Sequence, residues 1–254
     1  MAQIIAVSNQ KGGVGKTTST LNLGVALTEL GMKVLMIDLD PQSSLTISIG
    51  LEPENLEKTI YNALVDDVDI KKLILFDNEF LYFVPSTIDL SAAEMELVSE
   101  VGREFKLKEA IDPVKDEFDY VIIDCPPSLG LLTINALVAC DVVIVPMAPE
   151  YLALRGFNLL EKTIAKVKKL NKKLTLMGIL ITLYDNRTTH HKDVVTELKK
   201  NYPVFNSMIK KSIKFPDAVL AGQPIMTYDK KFEGSISYQE LAKEVIAWEA
   251  EKQA

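Results

Sequence analysis

Ile4-Ile5-Ala6-Val7-Ser8-Asn9-Gln10-Lys11-Gly12-Gly13-Val14-Gly15-Lys16-Thr17-Thr18 is the stretch that decides the fold of this chain. An apolar run suited to a buried strand, Ile4–Val7, gives way to glycines and then to a helical stretch, Thr17–Leu30, which carries Leu21, Val25 and Leu27 and is stopped by Gly31. Glycines let backbone N–H groups turn inward without a Cβ clash, and a helix N-terminus adds positive potential, so the segment reads as a cradle for phosphate. In such a cradle Lys16 reaches the β- and γ-phosphates and Thr17 offers a hydroxyl to Mg²⁺. The strict G-x-x-x-x-G-K-[ST] spacing fails at its first position, where Gln10 stands, and a further lysine, Lys11, follows at once.

Working outward, apolar runs fit for buried parallel strands recur at Val34–Ile37, Leu81–Val84, Tyr120–Ile123, Val142–Val145 and Leu176–Ile181. Helical stretches alternate with them at Leu129–Ala139, Tyr151–Leu170, Thr188–Asn201 and Ser235–Glu249. This alternation predicts an α/β fold, a mostly parallel sheet with helices on both faces, and 254 residues with 48% hydrophobic content allow one domain over 1–254. No charged start with an apolar run behind it reads as a signal peptide, and no apolar stretch is long enough to span a bilayer, so a cytoplasmic protein is expected. Two cysteines, Cys125 and Cys140, suit small core positions better than a disulfide framework or a metal cluster.

Strand ends supply the acids. Asp38 and Asp40 follow the second run in Ile37-Asp38-Leu39-Asp40-Pro41, and Asp124 closes Tyr120-Val121-Ile122-Ile123-Asp124, all at the carboxyl edge where ligands of open α/β sheets bind. Asp124 is placed to hold Mg²⁺ directly or through water. His190 and His191, in a polar stretch without neighbouring cysteines or carboxylate clusters, read as surface residues. Charge is uneven along the chain: residues 1–150 hold 10 Lys and Arg against 24 Asp and Glu, whereas residues 151–254 hold 18 against 11 within a total of −7. The second half can face a polyanion although the whole is acidic.

The loop Lys11-Gly12-Gly13-Val14-Gly15-Lys16-Thr17 resembles the deviant Walker A motif of the ParA/MinD superfamily of P-loop ATPases. Asp124-Cys125-Pro126-Pro127-Ser128-Leu129-Gly130 is similar to its ParA/Soj partition branch, where MinD-type proteins usually read Asp-Ser-Pro-Ala-Gly. The resemblance extends over nearly the whole chain, including Tyr184-Asp185-Asn186-Arg187-Thr188 and Gly222-Gln223-Pro224-Ile225. It implies ATP and Mg²⁺ as cofactors, bound by Lys11, Gly12, Gly13, Val14, Gly15, Lys16, Thr17 and Thr18, with Ile209 and Ser212 in the segment that encloses the adenine. It implies that Lys11 reaches across an ATP-induced homodimer to the partner's phosphates, that Lys11, Lys16 and Asp40 serve catalysis, with Asp40 positioning the attacking water, and that Thr17, Asp38 and Asp124 lie in the magnesium shell.

The same resemblance implies that the dimer binds double-stranded DNA non-specifically on the nucleoid and is reset when a ParB-type centromere-binding protein stimulates hydrolysis. Arg187, Lys210, Lys211 and Lys214 are the expected DNA contacts; the lysines stand where the family has a proline and two arginines. Arg155 stands where many relatives carry glutamate. With the first strand beginning at residue 3 or 4, the operator-binding N-terminal domain of larger plasmid versions is not expected, nor is sequence-specific operator binding. The terminal stripe Tyr238, Leu241, Val245, Ile246 and Trp248 is mixed with Glu240, Glu244, Glu249 and Glu251, unlike the basic membrane helix of MinD-type proteins, so no membrane partner is expected. A positioning ATPase for a non-DNA cargo and a MinD-like membrane-cycling regulator are the alternatives. A second lysine group, Lys162, Lys166, Lys168, Lys169, Lys172 and Lys173, reads as a solvated helix face and its exit.

Overall fold

The computed structural model describes residues 2–76 and 79–253, the side chains of Phe76, residues 151–155 and Gln253 excepted; Arg155 therefore lies outside the described side chains. Eight strands form one sheet: β1 Gln3–Val7, β2 Val34–Asp38, β3 Leu75–Phe76, β4 Leu81–Val84, β5 Tyr120–Asp124, β6 Val142–Met147, β7 Thr175–Tyr184 and β8 Val204–Lys210. Their order is β3-β4-β2-β5-β1-β6-β7-β8. All neighbours pair in parallel except the two-residue β3, which runs antiparallel to β4 at one edge.

The helices are α1 Lys16–Glu29, α2 Ser44–Ser48, α3 Ile60–Leu64, α4 Leu90–Glu96, α5 Lys106–Ile111, α6 Leu131–Ala139, α7 Tyr151–Val167, α8 Thr189–Asn201, α9 Lys214–Leu220, α10 Ile225–Tyr228 and α11 Glu233–Gln253. Alternate strand residues serve opposite layers, as the two-residue side-chain period requires. Ala6, Ile37 and Ile123 face a core closed by residues of α3 to α8. Ile5, Met36 and Ile122 face the other, closed by residues of α1, α2 and α9 to α11. Strands buried on both faces need apolar residues at every position, which is why the continuous runs in the sequence mark them.

Six of the eight strands fall on the expected runs. β8 differs because Phe205, Ser207 and Ile209 are buried on one face while Val204, Met208 and Lys210 are only partly covered and Asn206 is exposed on the other, so its pattern alternates rather than running continuously apolar. The C-terminal stripe packs on the domain. Tyr238, Leu241 and Val245 of α11 are fully buried, with Ile246 and Trp248 partly so, in the same core as α1. Among the described residues no helix is long and apolar enough to cross a membrane.

Register places the chemistry. Val7 pairs with Asp124, and Asp124 with Asp38, so three adjacent strands end at one level. The loop leaving β1 therefore opens directly beside two carboxylates. Here the connection from β1 through α1 runs to β2 on one side and that from the adjacent β5 through α6 runs to β6 on the other, which makes the crevice in which α/β folds hold ligands.

Candidate functional site

Between β1 and α1 the chain adopts the cradle that its glycines permit. Gly13 and Gly15 have φ of 71° and 81°, left-handed values that a side chain would strain. Thr182 Oγ1 donates to the Val14 carbonyl at 2.8 Å and ties the loop to β7, while Val14 itself is buried. Lys16 opens α1 with 7% of its surface exposed, and its Nζ lies 3.4 Å from the Lys11 carbonyl. Burial pulls its ammonium below the ordinary lysine value, against the opposing influence of Asp124 and Asp40.

A cavity of about 510 Å³ opens over this loop. One end is polar, walled by Gly12, Gly13, Gly15, Lys16, Thr17 and Thr18, and Asp40 lines the same cavity. The other end is walled by Leu183, Ile209, Phe215, Pro216 and Val219, apolar surface fit for a flat ring, with Ser212 and Lys210 at its border. A volume of this order and a phosphate-binding end joined to an apolar end suit a nucleoside triphosphate.

The three acids have different surroundings. Asp124 is wholly buried; its carboxylate accepts from Thr17 Oγ1 at 2.7 Å and from Thr20 Oγ1 at 3.2 Å. Burial and, after it, the adjacent Asp38 charge push the Asp124 carboxyl up, against the Thr17 hydrogen bond and Lys16. Asp38 is also wholly buried and raised by burial, and both its oxygens are engaged: one accepts from the Asp40 N–H, the other from the N–H and hydroxyl of Thr46. Asp38 thus holds the loop that presents Asp40 and does not line the cavity. Asp40 does line it, with one oxygen accepting from the Gln42 N–H at 3.0 Å.

Thr17 and Asp124 stand 2.7 Å apart at the phosphate end, and among the described residues no three His, Cys, Asp or Glu side chains cluster as a metal cage. A hydroxyl and a carboxylate are an apt donor pair for Mg²⁺, which keeps water and phosphate oxygens for its remaining positions.

Lys11 stands apart. Its Nζ pairs with Glu150 Oε2 at 2.6 Å, half exposed, and it lines a separate depression with Asn9, Gln10, Pro127, Ser128, Leu129 and Leu159. Of the other basic residues singled out, Arg187 is held in a fork by Asp185, with contacts of 3.0 and 2.8 Å, Lys214 pairs with Asp229 at 2.6 Å, and Lys210 pairs with Glu233. Lys211 is exposed, with no ion pair among the described residues, and its backbone N–H donates to Tyr184. His191 is half-buried and accepts from the Asp185 N–H, so it shapes the Arg187 loop rather than merely covering surface.

Sequence reasoning passed over Thr20, Thr46, Thr182, Glu150 and the apolar wall Phe215, Pro216 and Val219. Only Glu150, an acid just beyond the end of β6, carries a positional signal. Thr20 and Thr46 lie near the loop and Asp40 in sequence but carry no motif, and Thr182 and the apolar wall are distant in sequence and reach the site through packing.

The AAA domain family model matches residues 2–176. The chain is 45% identical to the sporulation initiation inhibitor protein Soj of Bacillus subtilis, over 97% of this chain and 99% of that one. It is 42% identical to the chromosome partitioning protein ParA of Myxococcus xanthus, over 97% and 88%. Among solved structures it is similar to cobyrinic acid a,c-diamide synthase from Mycobacterium smegmatis with bound ADP and magnesium, at a TM-score of 0.86 and 40% identity, covering 97% and 94%. Full-length identity of this order, with the phosphate loop and the strand-end acids in place, means that the chain belongs to the ParA/Soj family of P-loop ATPases.

Proposed function

We propose that this chain is an ATP-driven partition switch: ATP and Mg²⁺ bind in the 510 Å³ cavity, two copies close face to face over the nucleotides, and the dimer binds duplex DNA without sequence preference until a ParB-type partner stimulates hydrolysis. The observation that carries the reading is the division of labour between two lysines. Lys16 is buried beside its own phosphate cradle, whereas Lys11, one turn of loop earlier, points away to the exposed rim and Glu150. A cation on the rim is available to a phosphate held by a second copy, and charge supplied there is valuable because phosphoryl transfer depends on positioning and electrostatic stabilisation.

The remaining residues have complementary tasks. Backbone N–H groups of the loop and the start of α1 cradle phosphate oxygens. Thr17 and Asp124 would hold Mg²⁺, which when bound would supply charge neutralisation at the phosphates. Asp40, in the lining of the cavity, accepts a hydrogen bond from the attacking water and orients it. Asp38 acts through Asp40 by fixing its backbone. Ile209 and its apolar neighbours take the base.

Light scattering of the Asp40→Ala chain, saturated with ATP and magnesium so that hydrolysis does not intervene, tests the reading. A dimer is expected, and a persistent monomer sinks it.

A further inference from the structure

The basic side chains expected to meet DNA at the nucleotide edge are in large part neutralised within the chain: Arg187 by Asp185, Lys210 by Glu233 and Lys214 by Asp229. The lysine group at the end of α7 differs. Lys162, Lys166, Lys168, Lys169, Lys172 and Lys173 are all exposed, and none forms an ion pair among the described residues. No Asp or Glu occurs from residue 162 to 174, and Glu161, just before, lies within reach of the Tyr202 hydroxyl.

This run is also held in place. Asn171 donates from its side chain to the carbonyls of Leu137 and Cys140 at 3.1 and 2.6 Å, its Oδ1 accepts from the Lys173 N–H, and Leu174 is fully buried. The turn that carries Lys168 to Lys173 is thereby fixed to the end of α6. A helix dipole accounts for one cation in the last turn, Lys166, but not for Lys162, further up, or for Lys172 and Lys173, past the end. Because α7 starts after β6 and returns to the start of β7, its C-terminal end lies at the sheet edge opposite the phosphate loop.

We propose that this lysine platform is a second DNA-backbone surface, formed in each copy without nucleotide and left uncovered when two copies join through their nucleotide edges. It rests on the DNA-binding part of the function proposed above and adds a location to it. The occupant follows from charge and spacing. Lys162 and Lys166 share one face of α7 a turn apart, about 6 Å at 1.5 Å per residue and close to two 3.4 Å steps along one DNA strand, and Lys169 follows in the turn just past the helix end. Unpaired lysines give up only bound counterions when they meet phosphate, whereas Arg187, Lys210 and Lys214 must first release a carboxylate.

The test compares random-sequence duplex binding, as a function of salt and with or without ATP, for the parent chain, for a variant with Lys166, Lys169, Lys172 and Lys173 all changed to Gln, and for one with Arg187 and Lys211 changed to Gln. The platform variant is expected to lose about 3 to 4 from the slope of log affinity against log salt, and at least roughly tenfold in affinity at moderate salt. The second variant should lose less than 2 from the slope. Acetylation of the parent chain with and without duplex, read by mass spectrometry, gives an answer independent of any variant's folding: these four lysines should be protected by DNA. An unchanged slope together with unprotected lysines overturns the platform while leaving DNA binding intact. A parent chain that binds no duplex at low salt overturns the DNA step of the proposed function and the platform with it.

Discussion

Asp124 ends β5 wholly buried, with hydroxyls from Thr17 and Thr20 on its carboxylate and Asp38 beside it on the next strand. Two acids so close and so dry favour keeping a proton, and this gives the nucleotide-free protein a pH signature. In the unfolded chain the Asp124 carboxyl loses its proton near pH 4, whereas in the folded chain it keeps it to about pH 8. Between those values the native state binds more protons than the unfolded state, so stability falls as pH rises. Urea midpoints measured without magnesium from pH 5 to 8.5 should decline, and Asp124→Asn should flatten the decline. A parent chain whose midpoint climbs over that range contradicts the assignment. At the same scale, Lys16→Ala removes the only side-chain cation on the phosphate end of the cavity among the described residues and should abolish nucleotide binding by calorimetry. Asp40→Ala should keep nucleotide binding yet slow hydrolysis by about a hundredfold or more; turnover at the parental rate would falsify its role with the attacking water.

Elements carry these residues because packing fixes where each begins. α1 opens at Lys16 immediately after the left-handed Gly15, and it is held from behind by α11, where the buried Tyr238 hydroxyl lies 3.2 Å from Ser19 Oγ and also borders the cavity. Asn22, one turn further along, accepts from the Ile225 N–H, so α10 is tied to the same helix. Leu241 is wholly buried in this layer, and Leu241→Ala should cost about 2–5 kcal/mol in urea unfolding, a loss well above that of a surface helix substitution. The terminal helix is therefore part of the nucleotide domain's core. β8 shows where run-based reading stops: as an edge strand whose fully buried side chains alternate with exposed or partly buried ones it needs no continuous apolar run, yet it delivers Ile209 to the cavity.

For the whole molecule the decisive quantity is the position of charge relative to the sheet edges. Lys11 lies on the nucleotide edge but outside its own copy's cavity, so Lys11→Ala should leave ATP binding by a single copy nearly unchanged while reducing the dimer seen by light scattering with ATP and magnesium. Loss of single-copy nucleotide affinity as severe as that of Lys16→Ala would place Lys11 in its own site instead. The lysines of the α7 exit lie on the opposite edge, which separates polyanion binding there from closure over the nucleotide.

The phosphate loop, the central parallel strands, the burial of the C-terminal stripe and the acids at strand ends were all legible in the order of residues, because each depends on short-range pattern: glycines beside a lysine, continuous apolar runs, a carboxylate ending a strand. Residues 1–150 and 151–254 likewise showed their opposite charge by simple counting. Tertiary structure alone separated Asp38, which holds a loop, from Asp40, which faces the cavity, since both follow the same strand and differ only in what folds over them. It alone paired Lys11 with Glu150 and gave Arg187, Lys210 and Lys214 their carboxylates while leaving the α7 lysines without one among the described residues. A sequence lists charges by type, but a charge's availability depends on its neighbours in space, and Lys11 and Glu150, 139 residues apart, become neighbours only when β1 and β6 are hydrogen-bonded side by side.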